Sequence, residues 1–299
     1  MKRKMYETLL NWKKSSSESL LIKGPRQVGK TYLIESFGKN EFDHILTINF
    51  EDQLDLRNIF EQMPNPDEAV ETLQTYAISK GIFNIEKDHT LIFFDEIQLS
   101  PRAFSLLKPL TEMNRFKIVA SGSLLGLTLS ADHLNPGPTV KHVTMNPLDF
   151  EEFMWAVHGE KIQAMITEVR QHFRKKQALS NAIHHFFSEA IQNYILVGGM
   201  PKVVQSFIQT SDFGEVFQAQ TAIVNLYRND IQLYQNTKEN QMRTLLAFNA
   251  IPTQLAKENK RFIYKEVQAN RRSRDFKNAM AWLDQSGDVL MCHQVKHTR

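Results

Sequence analysis

A chain of 299 residues with 42% hydrophobic content is long enough for about two packed domains. Its formal charge of +3 is too mild to imply a nucleic-acid partner by itself, so any such partner must be argued from local clustering. No apolar run approaches the roughly 20 residues that span a bilayer; the basic start Met1-Lys2-Arg3-Lys4 leads into Tyr6, Glu7 and Asn11 instead of an apolar signal core, and the single cysteine, Cys292, excludes an intrachain disulfide. A cytoplasmic location is expected.

The first element is an amphipathic helix over Met5–Lys14, closed by Ser15-Ser16-Ser17. Short apolar runs then alternate with helical stretches: Leu20–Ile22, Ile45–Phe50, Leu91–Phe94, Ile118–Ala120 and His142–Met145. Runs of this kind, spaced by helices, predict a parallel sheet covered on both faces.

Directly after the first run stands Gly24-Pro25-Arg26-Gln27-Val28-Gly29-Lys30-Thr31, which fits G-x-x-x-x-G-K-[ST] and precedes a helical pattern; these residues and Tyr32 are the expected nucleotide-binding segment. In this arrangement backbone N–H groups converge on phosphates while the helix presents its unpaired donors and positive dipole end to the same anion. Lys30 is expected to reach the β- and γ-phosphates of ATP, and Thr31 to supply a hydroxyl ligand to Mg²⁺.

The third run ends in Phe94-Asp95-Glu96, four apolar residues leading into two carboxylates. With a phosphate loop upstream, Asp95 is expected to support the metal and Glu96 to polarise an attacking water; standing alone, such a pair would be a cap or surface turn. Ser121 and Ser123, after the fourth run, are either sensors of the γ-phosphate or plain turn residues.

Beyond Pro147 the pattern becomes all-helical through Gln235, with Phe173, Leu179, Ile183, Phe187 and Ile191 at three- or four-residue spacing on the whole. Arg174-Lys175-Lys176 reads as a solvated helix face. The neighbours His184 and His185 diverge on a helix and do not share a metal.

From about Thr237 the pattern is three short helices and the start of a hairpin, the third helix capped by Ser273, lined inside by Phe276, Ala279, Met280 and Leu283, and ended by Gly287. This succession suggests a winged helix-turn-helix. Lys257, Lys260, Arg261, Lys265, Arg271, Arg272, Arg274 and Lys277 face only Glu258, Glu266 and Asp275, a basic surface that could contact DNA or simply be solvated in a packing module. Cys292, His293 and His297 are too few, and too divergent on a strand, to make a metal site.

The spellings Gly-Pro-Arg-Gln-Val-Gly-Lys-Thr, Phe-Asp-Glu-Ile-Gln and Ala-Ser-Gly-Ser, in this order, resemble the predicted AAA+ ATPases of bacteria and archaea related to the archaeal-type and STAND ATPases. Pro147-Leu-Asp-Phe-Glu-Glu-Phe153 resembles that group's passage from the fifth strand into a helical lid, and Gly198-Gly199-Met200-Pro201 its lid motif near the adenine.

The resemblance implies an α/β P-loop NTPase sheet in the order 5-1-4-3-2, a helical lid and a partial winged helix. It divides the chain into a nucleotide-binding core over 1–149, a lid over 150–236 and a winged helix over 237–299, shortened before a nuclease-like domain of unknown function that follows in many members. Where members carry a Gly-Arg pair before the fifth strand, this sequence has Gly137-Pro138-Thr139, so no arginine finger is assignable and slow hydrolysis is expected. The alternatives are a non-hydrolysing nucleotide switch, a DNA-binding regulator, and an oligomeric motor.

Overall fold

Strand formation follows the apolar runs closely. In the computed structural model, which describes residues 1–63, 65–123, 139–235, 237–259, 261–269 and 271–292, the strands are β1 (Ser19–Gly24), β2 (His44–Asn49), β3 (Thr90–Asp95), β4 (Lys117–Ser123) and β5 (Val140–Thr144). All pairings are parallel and the order is β2-β3-β4-β1-β5, the expected 5-1-4-3-2 read from the other edge.

Successive strand residues point to opposite faces, and the core divides accordingly. Leu21, Leu46, Ile48, Ile92, Phe94 and Ile118 pack with helices α3 (Leu54–Gln62), α4 (Pro66–Ser79) and α5 (Pro101–Glu112). Leu20, Ile22, Leu91, Phe93 and Val119 pack on the other face with α1 (Met5–Ser15) and α2 (Lys30–Glu41). Burial on both faces is why β1, β3 and β4 read as continuous apolar runs.

Local signals set the helix starts. Asn65 caps α4 and Ser100 caps α5, each followed by proline at the first helical position. Helix α6 (Phe150–His158) opens with a capping box in which the Asp149 carboxylate accepts from the Glu152 N–H at 2.9 Å and Glu152 accepts from the Asp149 N–H at 3.1 Å.

Helices α7 (Gln163–Arg174), α8 (Asn181–Val197), α9 (Pro201–Thr210) and α10 (Phe213–Tyr234) follow, with Phe153 at 5.3 Å from Tyr194 and 6.2 Å from Phe207 between ring centres. The expected apolar stripe holds only in part. Phe187 is buried, but Phe173 at the end of α7 lies exposed and Leu179 falls in the following loop, because the helix stops at Arg174 and the periodicity does not carry across the break. Arg174, Lys175 and Lys176 are exposed, as are His184 and His185.

The chain forms two compact units, residues 1–220 and 221–299. In the second, α11 (Lys238–Leu255), α12 (Tyr264–Val267) and α13 (Lys277–Gln285) are the helices that begin within it. Gln254 clamps the intervening loop, its amide donating to the Ile263 carbonyl at 3.2 Å while the Ile263 N–H donates back at 2.5 Å. Phe276, Ala279, Met280 and Leu283 are buried, as their spacing implies. Ser273 is not the cap: it lies inside a 3₁₀ turn, Ser273–Phe276, whose entry is tied by the Arg272 N–H donating to the Asp275 carboxylate at 2.8 Å. Asp275, three residues beyond Arg272, reaches back to accept from its N–H, the bond that the third-position acid makes in a capping box. Of the expected wing strand, Met291 and Cys292 have no strand pairing, and His293 to Lys296, with His297, lie outside the described residues. Among the described residues no helix is long and apolar enough to cross a membrane.

Asp288 gives the second unit a pH signature. Burial pushes its carboxyl from 3.8 up to about 6, opposed by a hydrogen bond from Ser286 and reinforced by the charge of buried Asp230. A carboxyl whose folded value lies above its unfolded value holds its proton more tightly when folded, so stability falls as pH rises from 3.8 to about 6 and the whole cost stands above that range. Asp288→Asn is expected to raise unfolding stability by about 2–3 kcal/mol at alkaline pH and to be neutral in strong acid. Chemical denaturation of the whole chain at the two pH values checks this, and equal effects at both would contradict it.

Candidate nucleotide site

The carboxyl ends of β1, β2, β3 and β4 lie side by side, the edge at which open parallel sheets bind ligands. Gly24 ends β1 against Met145: a β-carbon there would stand 2.4 Å from the Met145 carbonyl oxygen. The loop beyond it curls through left-handed backbone at Gln27 (φ 61°) and at Gly29 (φ 93°), the residue before α2. Val28 between them is fully buried. No side chain caps α2 and no acidic residue stands in its first turn, so its leading N–H groups are left for an anion.

Lys30 is 6% exposed, and its ammonium donates to the Gly24 and Pro25 carbonyls at 3.0 Å each. Burial pulls its pKa below the ordinary lysine value, opposed by the Glu96 and Asp95 carboxylates, while Arg26 adds a repulsive charge. A cation held this way is a ready partner for a phosphate oxygen.

Asp95, 2% exposed, is the hub of the site. One carboxylate oxygen accepts from the Thr31 hydroxyl at 2.8 Å and from the Asn49 amide at 3.2 Å; the other accepts from the Ser121 hydroxyl and from the Glu96 N–H at 3.1 Å. Thr31 and Asp95 thus offer hard oxygen donors within bonding distance of each other, the donor set that suits Mg²⁺ completed by phosphate oxygens and water. Among the described residues there is no cluster of three histidine, cysteine or carboxylate groups that would suit a different metal.

Glu96 follows in left-handed backbone (φ 50°), and Gln98 donates to its carboxylate at 2.5 Å. Burial raises the Glu96 pKa; the Gln98 bond and Lys30 lower it, and Asp95 and Glu51 raise it further. Ser121 is turned onto Asp95, and Ser123 lies in register with Gly24 at the end of β4. Arg26 stands 3.9 Å from Glu51. A cavity of about 670 Å³ opens beside the loop, lined among others by Val28, Gly29, Tyr32, Met145 and Pro201, with Tyr32 69% exposed at its rim. Pro201 arrives there because Gly199 packs main chain to main chain on Leu148: the Leu148 N–H donates to the Gly199 carbonyl at 2.7 Å, and a β-carbon on Gly199 would stand 2.2 Å from the Leu148 oxygen. Gly137 and Pro138 lie outside the described residues.

The structure adds residues that sequence pattern did not single out. Arg3, 7% exposed, donates to the Val28 carbonyl at 3.0 Å, the Asn146 carbonyl at 2.5 Å and the Glu152 carboxylate at 3.3 Å. It therefore pins the phosphate loop, the exit of β5 and the start of α6 together. In the sequence it is one charge in a basic start, with nothing to mark it. Asn49 could have been found, since a polar residue ends an apolar strand placed next to β3.

Residues 16–154 match the family described as an AAA domain, and residues 188–299 match a domain of unknown function, DUF8612. The fold resembles the Walker-type ATPase paby2304 of Pyrococcus abyssi, with a TM-score of 0.53 and 14% identity over 95% of this chain and 89% of that one. Also similar are Drosophila ORC bound to DNA (TM-score 0.42, 14% identity, 98% and 81% covered) and AMPPCP-bound DnaA from Aquifex aeolicus (TM-score 0.34, 14% identity, 94% and 78% covered). At these identities the likeness concerns fold alone. A comparison with curated proteins finds no match. Taken with the five-stranded order and the loop geometry, the match identifies residues 16–154 as an AAA domain.

Proposed function

We propose that the chain binds ATP with Mg²⁺ at the carboxyl edge of its sheet and hydrolyses it slowly. The observation that carries this reading is the convergence of Lys30, Thr31, Asp95 and Glu96 around one uncapped helix start. Gly24, Pro25, Arg26, Gln27, Val28 and Gly29 cradle the phosphates, with Tyr32 and Pro201 at the base-side cavity. Thr31 and Asp95 would hold the magnesium ion, which when bound neutralises charge on the phosphate oxygens. Lys30 binds the β- and γ-phosphates, and Glu96 takes a proton from the attacking water. Ser121 keeps Asp95 oriented, and Ser123 borders the γ-phosphate. Residues 1–149 then act as nucleotide core, 150–236 as lid and 237–299 as a winged-helix module, in a cytoplasmic protein. With no arginine finger assigned, turnover stays below about 10 per second, the ordinary enzyme median. The test is nucleotide binding and phosphate release by the wild type and Glu96→Gln. A wild type that binds ATP and releases no phosphate would favour a nucleotide-dependent switch.

DNA is the partner we propose for the second unit. Arg261, Lys265, Arg272, Arg274 and Lys277 are exposed, Lys257 is paired with Glu266 at 2.5 Å, and Asp275 is held ionised by the Arg272 N–H and by the charges of Arg271 and Arg274. Duplex DNA titrated at about 50 and about 200 mM salt is expected to bind roughly tenfold or more weakly at the higher salt, because phosphate contacts release counterions. Binding that is absent or indifferent to salt would remove this partner.

A further inference from the structure

The phosphate loop carries a second cation besides Lys30. Arg26 stands near its middle, between Pro25 and Gln27, whose left-handed backbone (φ 61°) turns the loop. Its guanidinium is partly exposed and lies 3.9 Å from the Glu51 carboxylate. Glu51 belongs to the turn that leaves β2, and that turn is fixed beside Asp95. The Asn49 amide donates to the Asp95 carboxylate at 3.2 Å, and its oxygen accepts from the Glu51 and Asp52 N–H groups at 2.8 and 3.1 Å. The Phe50 N–H donates to the Asp95 carbonyl at 3.1 Å. Arg26 thus reaches from the loop toward the side of the site where Asp95 and Glu96 stand, and the cavity beside Tyr32 and Pro201 is walled without it. The pair with Glu51 is long and exposed on both sides, so it holds the guanidinium only lightly. A phosphate, by contrast, accepts a guanidinium through two parallel N–H bonds, a stronger and geometrically defined contact.

We propose that Arg26 is a catalytic residue that leaves Glu51 when ATP binds and donates two N–H bonds to oxygens of the γ-phosphate. The proposal rests on the ATPase reading above. The Arg26 main chain already belongs to the loop that wraps the phosphates, so rotation about side-chain bonds carries the guanidinium across. As the bond from the attacking water to Pγ forms, the bond from Pγ to the bridging oxygen breaks. ADP leaves with that electron pair, and the Glu96 carboxylate takes the water proton. Arg26 gives up no proton in this step; it stays charged and stabilises the negative charge spread over the transferring group. It thereby supplies within the chain the arginine that a partner would otherwise bring. An arginine supplied in cis accompanies slow turnover in other phosphate-loop enzymes, so the slow hydrolysis proposed above stands.

The experiment compares the wild type with Arg26→Ala, Arg26→Gln and Arg26→Lys, all as the full chain. Phosphate release is measured at saturating ATP, and calorimetry follows the binding of ADP and of the non-hydrolysable analogue AMPPCP, each with Mg²⁺. In Arg26→Ala and Arg26→Gln, kcat is expected to fall roughly 100-fold or more. AMPPCP binds roughly tenfold more weakly, whereas ADP, which lacks the γ-phosphate, binds nearly as before. Arg26→Lys restores the charge without the fork and recovers only part of kcat. A merely structural role for Arg26 would weaken the two nucleotides alike. A kcat equal to wild type in any of the three variants, or equal losses of ADP and AMPPCP affinity, overturns the proposal while leaving the ATPase reading intact. A wild type that binds no nucleotide or releases no phosphate overturns both. If Arg26→Ala does not fold, Arg26→Gln, which keeps most of the side chain's length, decides by the same readings.

Discussion

With glutamine in place of Glu96, phosphate release is expected to fall by ~10²–10⁴-fold while ATP binding persists. The substitution preserves shape and leaves the Asp95 network untouched, so only the capacity to accept a proton is removed. Burial raises the Glu96 pKa above the ordinary 4.5, and a general base works only when ionised. Activity is therefore lost on the acid side at a higher pH than a solvated carboxylate would give, and the residual activity of Glu96→Gln lacks that limb. Phosphate-release kinetics across pH, with nucleotide affinity measured by calorimetry, check both parts. Equal turnover of variant and wild type would remove Glu96 from the reaction.

Arg3→Ala is expected to cost about 2–4 kcal/mol of stability, read by urea denaturation. Removing the guanidinium leaves the Val28 and Asn146 carbonyls without this donor and Glu152, 5% exposed, without its buried cation. The cost stays below that of a wholly uncompensated charge because Glu152 also accepts from the Lys4 N–H at 2.7 Å and the Asp149 N–H at 3.1 Å. Adding Glu152→Gln to Arg3→Ala should restore part of the loss, since it removes the stranded charge. An Arg3→Ala protein as stable as wild type would show that these bonds contribute nothing net.

Much of the first unit was legible because strands buried on both faces leave continuous apolar runs, as Leu91–Phe94 does, and because a phosphate loop must stand between strand and helix. The order of the sheet was not in the periodicity; it came with the resemblance of the motifs. Within the site, Lys30, Thr31, Asp95 and Glu96 are neighbours in the fold as their spelling suggested. Arg3 was invisible because its partners lie 25, 143 and 149 positions away, and no local pattern encodes such a contact. Gln98 was in plain view within the second motif, but its bond to the Glu96 carboxylate appears only in the fold. The second unit was less readable, since Asp275, and not Ser273, ties the entry of the turn before α13.

The junction of Leu148 and Gly199 has a mechanical meaning. With one main chain seated on another and no space for even a methyl group, that corner cannot shear, and the Tyr194 hydroxyl bonded to the Leu148 carbonyl at 2.8 Å braces it from a third side. Helices α8 and α9 are thereby coupled as a stiff lever to the segment leaving β5, and Arg3 connects the same segment to the phosphate loop through the Asn146 and Val28 carbonyls. A push on the lever is delivered to the loop backbone and is not absorbed by a soft joint.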